Sequence, residues 1–501
     1  MKSIRRPSTA SRLCALAAAS GALGWAALLG GCLGSNGAAS GPDGSVTRGD
    51  AIAPPPTDAG PADATSLPGS DAAPLASSDA AALTDAMATI VISGAGSTTV
   101  PATAHGQNYW SWVAQYGDQV DQVKDGAAAM HFTVLRAGGH NNDDNSPEPF
   151  DDAHVDAFVA YARATGAEPI LQVPLLADTA GNRPTAQTAA DFVTYANITK
   201  SYGIRYWEIG NEPDLYSDQG DLPAGYTAQS YCTDFAAFAD AMRAVDPSIR
   251  ILGPELSYKY VPGNDWLTPF LMGCGGKVDV VSVHRYPFAA AACTVANAMG
   301  DGAQFRASVR QLRATIDSLG MQATPLAITE SNFSYEGDPT LQTQPAALGT
   351  FYAGMWVADV TGVALEENLW SLAFWSLDEG FDTGFFTSDT FTARPAAYAY
   401  ELVTGHFGPT VLHGATVPLG LSAYASRNDG AARTEVLLLN RTATAATPIV
   451  GFTGLSVALP NRTIALPPYS VTLLEIHDDG TAGALLYTQD MADQGLAPQP
   501  E

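Results

Sequence analysis

The strongest constraint on the fold is a rhythm. Eight short apolar runs recur through the middle of the chain, each ending in polar residues and most parted from the next by a helix-like stretch. They are TAHGQNYW (Thr103–Trp110), HFTVLRAGG (His131–Gly139), EPILQVP (Glu168–Pro174), IRYWEIGNEP (Ile204–Pro213), IRILGPEL (Ile249–Leu256), VDVVSVHRYP (Val278–Pro287), PLAITESNF (Pro325–Phe333) and LAFWSLD (Leu372–Asp378). Runs of this length, bounded by Gly, Pro and Asn, read as buried strands. The spacers Asp151–Gly166, Tyr231–Pro247 and Phe305–Gly320 place apolar residues at every third or fourth position, as amphipathic helices do. Strand–helix alternation predicts an α/β fold with a parallel sheet and right-handed crossovers. Eight such units suit a closed (β/α)8 TIM barrel over 88–408; an open doubly wound sheet is the alternative. The barrel is preferred because chemically able residues sit repeatedly just after the strand cores, the end at which barrels carry their sites.

The flanks have a different texture. Lys2, Arg5, Arg6 and Arg12 precede an apolar, small-residue-rich stretch, Leu13 to Cys32, that reads as a secretory signal. Its end, LGGC, is similar to a bacterial lipobox, which implies residues 1–32 as signal peptide and lipidation of Cys32. The expected location is the bacterial cell surface or outer membrane, with secretion or the periplasm as alternatives. Residues 33–87 are Ala, Pro, Asp and Ser with almost no aromatics; they cannot bury a core and read as a disordered tether. Beyond the helix-like Arg394–Gly408, short alternating segments over 409–480 carry the signature of a C-terminal antiparallel β-sandwich. TIVISG (Thr89–Gly94) is expected either to add a strand to that sandwich or to close the barrel. Residues 481–501 read as a tail.

A formal net charge of −27 argues against nucleic acid and against adhesion to anionic lipid, leaving a lipid anchor as the one expected membrane link. Of five cysteines, Cys14 falls in the signal and Cys32 at its end. Cys232, Cys274 and Cys293 then allow one disulfide and one free thiol in an oxidising compartment, with the pair left open. No Cys/His spacing suggests a metal site, and no cofactor is expected.

The strand ends carry the chemistry. Arg136 follows FTVL, Asn211 and Glu212 follow YWEIG, His284 and Tyr286 follow VVSV, Glu330 follows PLAIT, and Trp375 lies in AFWSL. In a parallel barrel all of them converge on one rim. Two glutamates, on the fourth and seventh strands, then face each other across one cleft. Such a pair can break a glycosidic bond, one carboxyl protonating the leaving oxygen while the other attacks the anomeric carbon or activates water. Glu255, in LGPEL, is a third strand-end carboxyl and the main competitor.

EIGNEPD and AITESNF resemble the acid/base and nucleophile motifs of clan A retaining glycoside hydrolases, over roughly 88–408. The resemblance implies Glu212 as acid/base and Glu330 as nucleophile. It implies Asn211 on the sugar 2-hydroxyl, Arg136 and Tyr286 near the nucleophile, and Trp375 beneath the first sugar. LRAGGHN, EIGNEPDLY and ITESN look most like the β-glucuronidase/heparanase-like branch, with arabinofuranosidase-, xylosidase- and endoglucanase-like branches as rivals. The expected partner is an oligo- or polysaccharide. Further candidates for substrate contact are His284, Trp110 and Asn141; each is also open to a purely structural reading. A glycan-binding lipoprotein without turnover is the rival of another class. It has no need to hold two repelling carboxyls together. A metal-dependent barrel hydrolase is a third reading, weakened by the lack of His/Asp clusters.

Overall fold

The computed structural model describes residues 88–109, 120–145, 150–261, 263–336, 343–378 and 383–501. The signal, Cys32, the tether and Trp110 lie outside the described residues.

Two short strands, β1 (Thr89–Ser93) and β2 (Gly96–Thr99), precede the first half of the alternating region. That half supplies β3 (His105–Tyr109), β4 (Val134–Ala137), β5 (Glu168–Val173), β6 (Tyr206–Ile209) and β7 (Arg250–Leu256). A small hairpin, β8 (Tyr260–Val261) and β9 (Asn264–Asp265), leads on to β10 (Val280–Arg285), β11 (Leu326–Ser331) and β12 (Ser371–Phe374). Strands β3 to β7 and β10 to β12 close into a parallel eight-stranded barrel, so the fold is the TIM barrel expected. The helices between them match the periodic spacers. Asp152–Ala164 starts on an Asp151 cap, and Val295–Ser318 starts on a Thr294 cap, ten residues ahead of the expected start.

After the helix Pro395–Thr404 come β13 (Thr410–His413), β14 (Leu421–Asn428), β15 (Arg433–Asn440), β16 (Ile449–Thr453), β17 (Arg462–Thr463), β18 (Ser470–His477), β19 (Ala482–Thr488) and β20 (Gln499–Pro500). They form a seven-stranded sheet ordered β2-β13-β14-β15-β18-β19-β20 and a three-stranded sheet ordered β1-β16-β17. Both N-terminal strands therefore belong to the sandwich and not to the barrel. The stretch read as a tail is also part of it. AGALLYT pairs with β18 from Ala482 to Thr488, because the central sheet still has an edge to fill.

Alternation decides what the large sheet touches. Val436 and Leu438 enter the core shared with Ile90, Ile92 and Val450 of the small sheet. Leu437 and Leu439 point the other way and join the core of the barrel. There the sheet packs on the helix Phe351–Glu366, with Tyr424 Oη donating to Asp359 Oδ1 at 2.7 Å. A helix lodged between barrel and sheet is buried almost all round. It shows no apolar stripe, which is why periodicity did not mark it.

The open cysteine question resolves to Cys232–Cys274, tying the helix Ala228–Val245 to Leu267–Cys274. Cys293 is the buried free thiol. Among the described residues no helix is long and apolar enough to cross a membrane.

Candidate active site

The barrel interior is built in layers two residues apart. Val134, Ile170, Tyr206, Leu252, Val280 and Ala327 form one apolar layer. Two residues further along the same strands stand Arg136, Gln172, Glu208, Ser282 and Thr329, all buried and all polar. The chemistry begins where that interior turns polar.

Arg136 is the hub. Its Nε donates to Glu208 Oε2 (2.5 Å) and its Nη1 to Glu330 Oε1 (2.6 Å) and Asn108 Oδ1 (3.0 Å). Its Nη2 donates to Asn211 Oδ1 (3.0 Å) and Gln172 Oε1 (3.3 Å). All five guanidinium donors are thereby used, and the side chain has no exposure. Arg136 is thus next to Glu330 as expected, but it presents no surface to a sugar.

The Gly-Asn-Glu turn after β6 is held from below. Gly210 adopts a left-handed φ of 72°, and a Cβ there would lie 2.5 Å from Tyr216 Oη. Asn211 N–H donates to Asp143 Oδ2 (2.9 Å), which also accepts from Tyr216 Oη (2.5 Å). The polar loop after Arg136 therefore acts through Asp143, a buried brace for the turn. Asn141 sits half-buried beside it in the short helix His140–Asp143. Glu212 also has positive φ, 48°, and its N–H donates to the carbonyl of Glu255 (3.0 Å).

Glu330 Oε2 accepts from Tyr286 Oη (2.9 Å). A register shift between Val283 and His284 sets His284 opposite Glu330, a bulge that re-aims a side chain beside a site. His284 is wholly buried, with Nδ1 2.9 Å from Glu212 Oε1 and Nε2 3.1 Å from Glu255 Oε2. Both ring nitrogens are spent on glutamates, so His284 bridges carboxyls and is not available as a sugar contact. Trp375 is half-buried and lies over Gly139, where a Cβ would come within 2.7 Å of its Cη2.

Glu212 follows the fourth barrel strand and Glu330 lies on the seventh, and both side chains are partly open to solvent, 19% and 8% exposed. One carboxyl oxygen from each and a nitrogen of His284 all lie within 4.8 Å of one another. That trio is also where a metal ion would find ligand atoms among the described residues. His284 is a poor ligand there, because burial would lower its pKa but Glu330, with the bonds to Glu212 and Glu255, raises it to about 10. A protonated imidazole has no lone pair to give. Glu255, the competing carboxyl, is fully buried.

The cluster balances its charge. Burial would pull the Arg136 guanidinium down, but Glu208, Glu330 and Glu255 raise it. Burial pushes Glu208 up to about 8 against the pull of Arg136. Burial also raises Glu212, with the His284 hydrogen bond only partly opposing and the Glu330 charge adding. Burial would raise Glu255 too, but His284, Arg136 and Ser282 hold it below its ordinary value. Near neutral pH two cations, Arg136 and His284, then face the carboxylate of Glu255, while burial favours the protonated forms of Glu208 and Glu212.

Sequence reasoning missed Glu208, Gln172 and Asn108; from sequence Asp143 reads only as part of a polar loop that contacts sugar or forms a turn, and it does the bracing. One signal was present. Glu208 sits inside the strand run at the parity of Tyr206, and an inward-facing charge in a barrel strand needs partners.

Residues 195–398 match the model of Glycosyl hydrolases family 39. No curated protein matches the chain significantly. Solved structures of similar fold include an α-L-arabinofuranosidase from Thermotoga maritima in complex with arabinose. It is 16% identical, with 78% of this chain and 100% of that one covered, at a TM-score of 0.59. A Paenibacillus polymyxa xyloglucanase of family 44, with xyloglucan, is 14% identical over 76% and 98%, at 0.57. CelM2, a bifunctional glucanase-xylanase from a metagenome library, is 18% identical over 78% and 99%, at 0.60. At these identities the structural likeness carries the fold alone. The family match, on a barrel whose mouth holds Glu212 and Glu330, makes the chain a glycoside hydrolase.

Proposed function

We propose a retaining double displacement with Glu330 as nucleophile and Glu212 as acid/base. The observation that carries it is the closeness of the two carboxyls. One carboxyl oxygen of each lies within 4.8 Å of the other, a closeness that supports the retaining arrangement (~5–5.5 Å between carboxyls) over the ~6.5–9.5 Å of inverting enzymes. Glu330, hydrogen-bonded by Arg136 and Tyr286, attacks the anomeric carbon while Glu212 gives its proton to the leaving oxygen. The glycosyl ester cancels the charge of Glu330, so the pKa of Glu212 falls. Glu212 can then take a proton from the water that cleaves the ester. Arg136 occupies Asn211 Oδ1, so the amide nitrogen of Asn211 is the end left for the sugar 2-hydroxyl. Trp375 supplies an apolar face for the ring.

The substrate on this reading is a β-linked or related oligo- or polysaccharide. The motif likeness points to the β-glucuronidase/heparanase-like branch. The two buried cations weigh against a uronic acid, because Arg136 and His284 are both taken up by carboxyls. An uncharged sugar at the cleavage point is the reading favoured here. The N-terminal motif supports lipid anchoring at Cys32, with 33–87 as the tether; Cys32→Ser should then release the protein from the membrane fraction.

The test is a panel of aryl glucuronides, xylosides, glucosides and arabinofuranosides with wild type, Glu330→Ala and Glu212→Ala. Glu330→Ala loses nearly all turnover. Glu212→Ala keeps activity on good leaving groups and is rescued by azide. Equal turnover by all three proteins refutes the assignment, and a preference for glucuronides refutes the uncharged sugar.

A further inference from the structure

We propose that Glu255 is a positioning residue that holds the acid/base Glu212 from two sides, through His284 and through its own backbone. This rests on the assignment of Glu212 above. Glu255 lies at the end of β7 with a left-handed φ of 56°, in a site closed to solvent. Its carbonyl accepts the N–H of Glu212 at 3.0 Å, beyond the end of the β6–β7 ladder at Trp207 and Ile251. Its carboxylate reaches the same glutamate by a second route. Oε2 lies 3.1 Å from His284 Nε2, and the opposite ring nitrogen, Nδ1, lies 2.9 Å from Glu212 Oε1. The ring spans the two carboxyls, and it is the shortest side-chain route from Glu255 to Glu212.

The carboxylate is itself fixed. Thr329 Oγ1 donates to Oε2 at 2.5 Å, and Ser282 Oγ donates to Oε1. Charged and titratable groups face it from every packed element. These are Arg136 of β4 (Nη2 to Oε2, 3.8 Å), Glu208 of β6, His284 of β10 and Tyr231 of the helix Ala228–Val245. An anionic acceptor at Nε2 keeps a proton there and fixes the ring plane. His284 then donates from Nδ1 to one oxygen of Glu212, which leaves the other oxygen to carry the catalytic proton. The direction in which Glu212 delivers its proton depends on this chain. Its loss should therefore cost most where protonation of the leaving group matters most.

Glu255→Gln tests this, with the full chain. The amide keeps the shape and still accepts from Ser282 or Thr329, but it offers no anion to His284. Expected is a fall of at least about one pH unit in the His284 titration followed by 15N NMR, the signal assigned with His284→Asn. Expected too is a loss in kcat/KM that grows as the leaving group becomes more basic, from under about 3-fold on dinitrophenyl glycosides to about 30-fold on unactivated ones. In a Glu212→Ala background, with azide, adding Glu255→Gln should cost nothing further. Thr329→Val, which removes one bond to the same carboxylate oxygen, should show the same leaving-group trend more weakly, and it stands in if Glu255→Gln does not fold. A loss equal for every leaving group, a full extra loss in the Glu212→Ala background, or an unmoved His284 titration overturns the proposal. Wild-type behaviour of Glu255→Gln beside an inactive Glu330→Ala sinks this inference alone. Full activity in Glu212→Ala and Glu330→Ala sinks the assignment beneath it.

Discussion

Strands β6 and β15 are both buried on their two faces, yet they are buried for different ends. In β15, Val436 and Leu438 face the small sheet while Leu437 and Leu439 face the barrel helix, so both sides are apolar and continuous. In β6, Trp207 and Ile209 pack outward among the helices, while the inner side passes from Tyr206 to Glu208 within one alternation. Each strand also neighbours a buried charge. Glu435 of β15 accepts from Arg433 Nε (2.6 Å) and Ser426 Oγ (2.7 Å), and Arg433 reaches solvent with 27% of its side chain. Arg136 has no such outlet and must be balanced entirely inside. A buried ion pair therefore does not mark a site. What marks it is several carboxyls sharing fewer cations, because only then do some carboxyls keep protons that chemistry can use.

The contrast can be broken at either end. Glu330→Gln should cost at least about 10⁴-fold in kcat on every substrate with thermal stability unchanged or raised, since it removes one of several crowded acidic groups. Turnover curves beside a melting scan check it. Arg136→Met leaves Glu208 and Glu330 without their cation and should destabilise the fold by about 3–5 kcal/mol, read by urea unfolding. Leu438→Ala opens a cavity in the sandwich at a cost of about 3 kcal/mol and should leave kcat and KM of the folded enzyme untouched. If kcat falls with it, the two regions are not separable in the way described.

The smallest effect is a slope. Glu208 is raised from 4.5 to about 8 by burial, so between those values the folded chain holds a proton that the unfolded chain has released. Its contribution is fully present below 4.5 and is lost as pH rises through about 8. Glu208→Gln should flatten stability against pH across that window in denaturation curves. Activity carries the matching sign. Glu212 must be protonated for the first step, and its pKa is raised by burial, so the alkaline limb of kcat/KM should lie above the ordinary carboxylic range.

The same contrast explains what could be read in advance. The eight barrel runs stood out because each is apolar and each ends in Gly, Pro or Asn, and the two motif glutamates stood at two of those ends. Glu208 and Gln172 escaped notice because, without knowing which face of a strand looks inward, a polar residue inside a run resembles an interruption. The roles of Glu255 and His284 depend on a bulge and on contacts between neighbouring strands, which no local pattern encodes. In sequence β1 stays open between sandwich and barrel, β2 does not read as a strand and β19 reads as tail, because their partners lie hundreds of residues away or on an edge that only the assembled sheet presents. Trp110 and Cys32 lie outside the described residues.

The most direct test of the account is the stereochemistry of hydrolysis, followed by 1H NMR of the first-formed sugar before mutarotation. Two carboxyls as close as Glu212 and Glu330 predict a product with the anomeric configuration of the substrate, and labelling of Glu330 by an activated fluoroglycoside. An inverted first product, with Glu330 unlabelled, would contradict it.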